Sequence, residues 1–373
     1  MFWNLFRRER EQRPAPTRQA GREGETHPEQ DTRAVIDELS RVVKGNPEAV
    51  EIYLALGSLY RSQGDIERAI RIRKNLIVRP DLDEKLKARA WFELGRDFRR
   101  GGFLDRAAQA FEQAHAILGD TEEVLLEMAR LAAQASDFAR AAELYARLGR
   151  PLAEAHYLVR QAGERLREFD IAQGQKLLRR ALKVHPASVE AWLGLTVQAL
   201  GDNSLVDLAQ TLAQGLDQVE EGLAFLLLDG LIESALSAAA QRAPHGPPAL
   251  DPKLARAVLP VIEARRPDVL SCYYGARLLL LCNDEAAART WFEKALVLSP
   301  NFWLARLELF TLAKAEQTMT PFFSEQLDFF IAQARRLKRF VCRRCGLKRD
   351  GVFFVCPRCR SWHSITFRME FTP

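Results

Sequence analysis

The chain has 373 residues, of which 47% are hydrophobic and 28% are charged, and its formal net charge is +5. This length exceeds one ordinary globular core, so it predicts several domains or a repeat array. The composition is typical of a soluble folded protein, and so small a charge excess gives no argument by itself for nucleic-acid binding.

The first 33 residues are polar and mixed in charge, with three prolines and two glycines among them. Such a segment cannot bury a core, and we expect it to be disordered. Residues 2–8 differ from the rest, because apolar side chains including Trp3 precede Arg7 and Arg8. This patch either enters a membrane interface or simply opens a flexible tail.

Helical periodicity runs almost without a break from about residue 34 onward. The most apolar stretch starts at Gly222, but Asp229 and Glu233 interrupt it, so we predict no transmembrane helix. Four prolines between residues 242 and 252 preclude a continuous helix and indicate a loop. The predicted boundaries are 1–33 for the disordered segment, 34–241 for an N-terminal repeat array, 242–252 for the loop, 253–337 for C-terminal helical repeats and 338–373 for a cysteine module.

The stretch "WFELGRDFRRGGFLDRAAQAF" matches the tetratricopeptide pattern, in which small residues let two antiparallel helices approach closely. The matching residues are Trp91, Leu94, Gly95, Phe98, Ala107 and Phe111. The small residues recur 12 positions apart in the pairs Gly57 and Ala69, Gly95 and Ala107, and Ala129 and Ala141. A late copy places Ala276, Ala288, Phe292, Ala295 and Pro300 in register. We therefore predict an all-α tetratricopeptide solenoid.

The stretch "FVCRRCGLKRDGVFFVCPRCR" contains two Cys-x-x-Cys pairs separated by ten residues. Each pair can direct two thiolates at one ion from a tight turn, so Cys342, Cys345, Cys356 and Cys359 are the predicted ligands of one tetrahedral metal ion. Iron and zinc both suit four sulfurs. Such a site has no open position, which argues against metal catalysis.

The cysteine module is predicted to be a small rubredoxin-like or zinc-ribbon β unit that the metal holds together. Gly346 follows the first pair and allows a left-handed turn there. We expect a turn and a short strand in "DGVFFV" and a closing strand in "SITFRMEF", and we interpret His363 as a surface or strand residue. The remaining cysteines, Cys272 and Cys282, lie in apolar helical sequence, which suits a reducing compartment.

From Arg335 to Arg360 there are ten arginines or lysines and one acid, Asp350. These cations either dock an acidic partner or a membrane face, bind nucleic acid, or only offset the charge of the thiolates. In the repeats, the concave face is lined by first helices, which places Arg61, Phe92, Arg96, Arg99 and Arg130 in a groove. Arginines there suit carboxylates or a peptide C-terminus.

No catalytic constellation is found, because the sequence has no His-Glu-x-x-His, no Gly-x-Ser-x-Gly and no phosphate-binding glycine loop. We therefore expect a protein that is not an enzyme and that has no small-molecule substrate. Two alternatives stay open at this point. One is a repeat protein whose zinc ribbon binds nucleic acid, and the other is an electron carrier that uses a rubredoxin-type iron.

Three stretches, "LGSLYRSQGDIERAIRIRKNL", "LGRDFRRGGFLDRAAQAFEQ" and "RFVCRRCGLKRDGVFFVCPRCRSWHSI", resemble the lipopolysaccharide assembly protein B family. The resemblance implies tetratricopeptide repeats, a rubredoxin-like domain with iron or zinc on the four cysteines, and an adaptor that promotes degradation of the lipid A deacetylase LpxC by the membrane protease FtsH. It also implies contacts with other lipopolysaccharide enzymes. Family members begin with a transmembrane helix, which this sequence does not show. We therefore expect peripheral attachment at the cytoplasmic face of the inner membrane, or otherwise a cytoplasmic location.

Overall fold

The computed structural model describes residues 34–39, 41–42, 49–242 and 249–370. The predicted fold class is confirmed, because helices fill the described sequence up to residue 335 and a small three-stranded sheet follows them. The helices are α1 (Val50–Gln63), α2 (Ile66–Ile77), α3 (Glu84–Gly101), α4 (Leu104–Leu118), α5 (Glu122–Gln134), α6 (Phe138–Arg147), α7 (Pro151–Arg167), α8 (Ile171–Val184), α9 (Val189–Gly201), α10 (Leu205–Gln218), α11 (Phe225–Arg242), α12 (Pro252–Glu263), α13 (Val269–Leu281), α14 (Glu285–Leu298), α15 (Trp303–Ala315) and α16 (Pro321–Arg335). The strands are β1 (Phe340–Cys342), β2 (Lys348–Arg349) and β3 (Ile365–Phe367).

Six turns inside the helical pairs share one geometry, in which a residue with positive φ lies two positions before the first residue of the second helix. These left-handed residues are Gly64, Gly102, Ser136, Phe169, Asn203 and Asn283. In four of the turns, the next residue is an aspartate whose carboxylate accepts a hydrogen bond from the backbone N–H three positions later. These capping residues are Asp65, Asp137, Asp170 and Asp284.

Small residues set the distance between the paired helices, as the sequence predicts. A Cβ atom on Gly95 would lie 2.6 Å from the Phe111 ring, which is closer than real contacts allow. Ala69, Ala107 and the other predicted small partners are fully buried. The late copy is also in register, with Ala276, Ala288, Phe292 and Ala295 all buried. The repeat spacing therefore originates in a steric requirement.

Contacts divide the described residues into two compact units, one ending at Gln161 and the other starting at Ala162. The predicted boundary in the Pro-rich stretch 242–252 stays a prediction, because residues 243–248 lie outside the described residues. The predicted disordered segment 1–33 and its apolar patch at residues 2–8 also lie outside them.

One helical stretch of the described chain, Glu221–Arg242, is long and apolar enough to cross a membrane by length and composition alone. However, 61% of its most apolar window is buried inside the protein. Asp229, at its middle, is 2% exposed and accepts a hydrogen bond from the Tyr274 hydroxyl at 2.9 Å. The stretch therefore packs as a core helix of its unit.

The C-terminal sheet has the strand order β2-β1-β3, and both pairings are antiparallel. The predicted closing strand is confirmed as β3, in which Phe367 pairs with Phe340. The prediction of a short strand in residues 350–355 is wrong. That segment contributes only an isolated bridge from Val355 to Trp362. Phe353 and Phe354 are neighbours and are both buried, so the segment lacks the inward and outward alternation of a half-exposed strand.

Candidate functional site

The two Cys-x-x-Cys pairs form matching knuckles. In the first, the Gly346 N–H donates to the Cys342 carbonyl at 2.9 Å, and Gly346 has φ +69° as predicted. In the second, the Arg360 N–H donates to the Cys356 carbonyl at 2.8 Å, and Arg360 has φ +55°. A non-glycine residue therefore adopts the left-handed conformation in the second knuckle, at a cost in backbone strain.

The four cysteine sulfurs converge on one point. All four Sγ atoms lie within 4.8 Å of one another. The Cys342 and Cys359 sulfurs are 3.7 Å apart, and the Cys345 and Cys356 sulfurs are 3.6 Å apart. A metal with bonds of about 2.3 Å to four tetrahedral sulfurs requires sulfur–sulfur edges of about 3.8 Å. The cluster therefore fits one tetrahedral ion, and both zinc and iron match its donor set.

Two serines, which the sequence analysis did not identify, surround the sulfurs. The Ser361 hydroxyl donates to Ser364 Oγ at 2.6 Å, and Ser364 Oγ lies 3.2 Å from the Cys342 sulfur. Burial alone would raise the pKa of the Cys342 thiol, but hydrogen bonds from Ser364 and nearby backbone N–H groups outweigh it and lower that pKa to about 5. Cys342 therefore favours the thiolate, which is the form that binds metal, whereas burial raises the pKa of the Cys356 thiol to about 12.

An aromatic cluster anchors the module on the helices of its own unit. Phe367 of β3 occupies the centre of the cluster and is 5% exposed. Its ring lies between 5.7 and 6.3 Å from the rings of Phe225, Tyr273, Tyr274, Phe302 and Phe340. The Trp303 indole N–H also donates to the Arg368 carbonyl at 3.0 Å. The module and helices α11, α13 and α15 thus share one core.

The prediction that His363 is a surface or strand residue is wrong, because His363 is largely buried and lies in a turn before β3. Its side chain is 12% exposed, and its Nε2 lies 3.1 Å from the carboxylate of Glu190, which lies in the first turn of α9 and is itself 1% exposed. Burial opposes protonation of His363, but the charge and hydrogen bond of Glu190 outweigh it and raise the pKa of His363. The sequence could not show this pair, because the two residues are 173 positions apart.

The predicted groove arginines are held by acids that the sequence analysis did not identify. Arg61 lies 2.7 Å from Glu93 and 2.7 Å from Asp97. Arg73, which is fully buried, lies 3.4 Å from Asp97 and donates to the Leu54 carbonyl at 2.7 Å. Burial would raise the pKa of Glu93, but Arg61, Arg96 and Arg73 outweigh it and lower that pKa.

The remaining predicted groove residues continue the same pattern. Arg99 and Arg130 both pair with Glu127, at 2.9 and 2.8 Å, and Arg96 pairs with Glu93 at 3.0 Å. Phe92 is 9% exposed and packs against the Phe111 ring. Among the residues of this predicted groove and the acids named here, five guanidinium groups accompany three carboxylates, which is an excess of two positive charges. Arg96 and Arg130 are its most exposed cations, at 38% and 41%.

One family model and two solved structures are similar to parts of this chain. The tetratricopeptide repeat family model matches residues 50–72, which form α1 and the first part of α2. A tetratricopeptide repeat protein from Parabacteroides merdae aligns with TM-score 0.36 and 16% identity over 70% of this chain and 97% of that one. Part of a repeat protein from Cytophaga hutchinsonii aligns with TM-score 0.38 and 13% identity, over 74% of this chain and 94% of that one.

Two relatives with the same name were found by sequence. Lipopolysaccharide assembly protein B from Escherichia coli is 26% identical over 345 residues, which cover 88% of this chain and 84% of that protein. The protein of that name from Haemophilus influenzae is 28% identical over 180 residues, covering 45% of this chain and 44% of that protein. This chain is thus a tetratricopeptide-repeat protein with a C-terminal four-cysteine module, and over most of its length it resembles lipopolysaccharide assembly protein B.

Proposed function

We propose that this protein is a non-enzymatic adaptor that limits lipopolysaccharide synthesis by presenting the deacetylase LpxC to the membrane protease FtsH. The observation that carries the proposal is its similarity, over 88% of the chain, to a relative named for lipopolysaccharide assembly. Other lipopolysaccharide enzymes are further candidate partners. The protein would work peripherally at the cytoplasmic face of the inner membrane.

The two kinds of binding surface on the chain suit an adaptor. A repeat groove with excess positive charge can hold an acidic or carboxylate-ended segment of one partner. The second unit carries a metal module with a strongly basic sequence, which can contact another. Holding both partners turns their encounter into an intramolecular event and raises its rate without new chemistry. A tetrahedral site filled by four thiolates leaves no position for a substrate, which supports a structural role for the metal.

We propose that Arg96 and Arg130 contact the partner directly, whereas Arg61 and Arg99 orient the acids beneath. The variant Arg96→Gln with Arg130→Gln removes two exposed charges and keeps the buried pair of Arg61 and Asp97. Capture of LpxC by the purified full chain should fall by about tenfold or more, since a charge-assisted hydrogen bond contributes about 1.5–3 kcal/mol.

The matched control is Arg71→Gln with Arg140→Gln. These arginines also form ion pairs within their own helices, with Glu67 and Glu143, but they belong to second helices of repeats. The control should capture LpxC normally. An equal loss of LpxC capture in both variants would show that capture depends on overall charge and not on the groove. Normal capture by the Arg96→Gln, Arg130→Gln variant would rule the groove out as the binding site.

The regulatory part of the proposal is tested in the host. Depletion of the protein should lengthen the half-life of LpxC and raise the lipopolysaccharide content, because the protease then meets its substrate only by diffusion. Re-expression of the groove variant should fail to restore the short half-life, whereas the control variant should restore it. An unchanged half-life after depletion would refute the adaptor proposal.

We also propose that Cys342, Cys345, Cys356 and Cys359 bind one iron or zinc ion. Elemental analysis of the purified chain should find about one equivalent of metal, and Cys345→Ser with Cys356→Ser should remove it. The matched control, Cys272→Ser with Cys282→Ser, changes two cysteines outside the cluster. Metal retained by the first variant would refute the assignment, and a reversible visible absorption would favour an iron electron carrier.

A further inference from the structure

Helix α16 presents four exposed phenylalanines, which we name the aromatic face. They are Phe322, Phe323, Phe329 and Phe330, with exposed fractions of 72%, 52%, 55% and 65%. At 100° per residue, positions seven apart nearly coincide, so the four side chains lie within an arc of about 120°. Exposed apolar surface of this extent is uncommon on a soluble protein and marks an interaction site.

The opposite side of α16 attaches to its own unit. Ile331, about 140° around the helix axis from the centre of the aromatic face, is the buried residue of the helix. Lys314 of α15 donates to the Ser324 carbonyl at 3.3 Å and lies 2.5 Å from the Asp328 carboxylate. The helix is therefore held from one side, and the aromatic face points away from the helix that supports it.

Positive charge adjoins the C-terminal end of the aromatic face. Between Arg335 and Arg349 there are eight arginines or lysines and no acid. Arg336, Lys338, Arg344 and Lys348 are among those with exposed side chains. On α16 itself, the acid Asp328 is paired with Lys314, which leaves Glu325 as the remaining carboxylate of the helix.

We propose that α16 and the basic sequence after it form a docking surface for an anionic phospholipid bilayer. The aromatic face would enter the boundary between headgroups and acyl chains while the cations contact lipid phosphates. This inference deepens the peripheral membrane location proposed above by naming the surface that makes the contact, and it does not depend on which proteins the adaptor binds.

Charge decides between a bilayer and a second copy of the chain. Two copies joined through this face would bring two basic sequences together, and like charges repel. An anionic bilayer instead offsets them, with about 1 kcal/mol for each lysine or arginine near the surface. Nucleic acid also attracts cations, but it uses aromatic rings as separate stacking platforms along a groove. Four phenylalanines on one side of a helix match an interfacial segment better.

The test uses the full chain and sedimentation with vesicles of phosphatidylglycerol and phosphatidylethanolamine. Phe322→Ser with Phe329→Ser should weaken binding by about tenfold or more, because it removes apolar surface from the interface. Arg336→Glu with Lys338→Glu should weaken binding to these vesicles and leave any residual binding to phosphatidylcholine vesicles unchanged. The matched control is Phe169→Ser, since that side chain is 88% exposed on a loop outside the surface.

Amide hydrogen exchange then locates the contact, because it reads α16 separately from every other segment of the chain. Vesicles should slow exchange in the peptide that covers α16, and the phenylalanine variant should lose this protection. Three outcomes would overturn the proposal: unchanged exchange in α16 with vesicles, protection by an oligonucleotide instead, or protection that grows with protein concentration alone. Protection without vesicles that disappears when residues 1–33 are deleted would assign the face to the chain's own N-terminal segment.

Discussion

At the scale of single residues, the metal centre depends on two backbone conformations that side chains rarely adopt. Gly346 and Arg360 close equivalent knuckles with φ of +69° and +55°. A glycine adopts this conformation at little cost, whereas the Cβ atom of another residue makes it unfavourable by roughly 1–2 kcal/mol. The second knuckle therefore carries strain that the first does not.

Arg360→Gly should relieve this strain. We expect the folded module to gain up to about 1 kcal/mol, after subtraction of the extra entropy that a glycine has in the unfolded chain. The measurement is the chelator concentration at which half of the module unfolds, which should rise. Gly346→Ala should lower it, because a Cβ atom there meets no neighbour and adds only backbone strain.

The control for the substitutions Arg360→Gly and Gly346→Ala is Gly351→Ala. Gly351 has no positive φ and no atom within 4 Å of an added Cβ, so the substitution should raise the midpoint slightly, because alanine has less freedom than glycine in the unfolded chain. A midpoint that falls in Arg360→Gly would show that the arginine side chain contributes more than the strain costs.

At the scale of elements, the repeats follow from sequence because their determinants are periodic. The small residues Gly95 and Ala107 recur with fixed spacing, and Gly95 faces an aromatic residue 16 positions later. Gly275 likewise faces Trp291, but Gly57 faces Arg73. A buried arginine thus replaces the aromatic residue in the first repeat, and its guanidinium plane packs on the glycine.

Sequence alone did not reveal Arg73, because arginine is common in this chain and its partner Asp97 lies in the next repeat. The same limit applied to His363, whose partner belongs to α9. Local signals did predict the knuckles, since both cysteine pairs and Gly346 are neighbours in sequence. Features fixed by spacing were therefore predictable, and features fixed by long-range charge pairing were not.

The ion pair of Arg73 and Asp97 should be strongly coupled, since both side chains are fully buried. Arg73→Met leaves a buried carboxylate short of a partner, and we expect it to lower the free energy of unfolding by about 3–5 kcal/mol. Asp97→Leu should be similarly costly. The double variant should lose less free energy of unfolding than the two single variants together, by at least about 1 kcal/mol, because neither buried charge is then left without the other.

Urea unfolding followed by circular dichroism measures these free energies. Arg68→Met serves as the control, because its pair with Asp65 is exposed and contributes little. Strict additivity of Arg73→Met and Asp97→Leu would show that the two residues act separately.

At the scale of the whole molecule, the metal module belongs to the unit that begins at Ala162. Phe367 packs among aromatic rings of α11 and α13, and His363 pairs with Glu190 of α9. Each buried phenylalanine contributes about 1.5–3 kcal/mol, so the module and the helices stabilise each other. Loss of the metal should therefore loosen the surrounding helices as well as the module.

The pair of His363 and Glu190 makes this attachment dependent on pH. The pKa of His363 is raised, so its contribution to stability is complete below its ordinary value of about 6.5 and is lost as pH rises through the folded-state value. His185 faces the same pair, and burial together with the charge of His363 lowers its pKa, so His185 opposes the trend. Glu220 also faces both histidines and favours their charged forms.

Glu190→Gln should therefore destabilise the protein most at acidic pH. We expect a loss of about 2 kcal/mol near pH 6, where the wild-type pair is charged, and a smaller loss as the pH rises above the folded-state pKa of His363, where the imidazole gives up its proton. Thermal unfolding of the metal-loaded full chain measures the difference in stability between the variant and the wild type at each pH. Any pH dependence of metal retention affects both proteins and cancels in this difference. Glu220→Gln is the control, since its carboxylate is exposed and makes no hydrogen bond to His363, so its effect should be small at every pH. A loss from Glu190→Gln that stays constant with pH, or grows as pH rises, would show that the pair is held as a neutral hydrogen bond and that charge does not attach the module to α9.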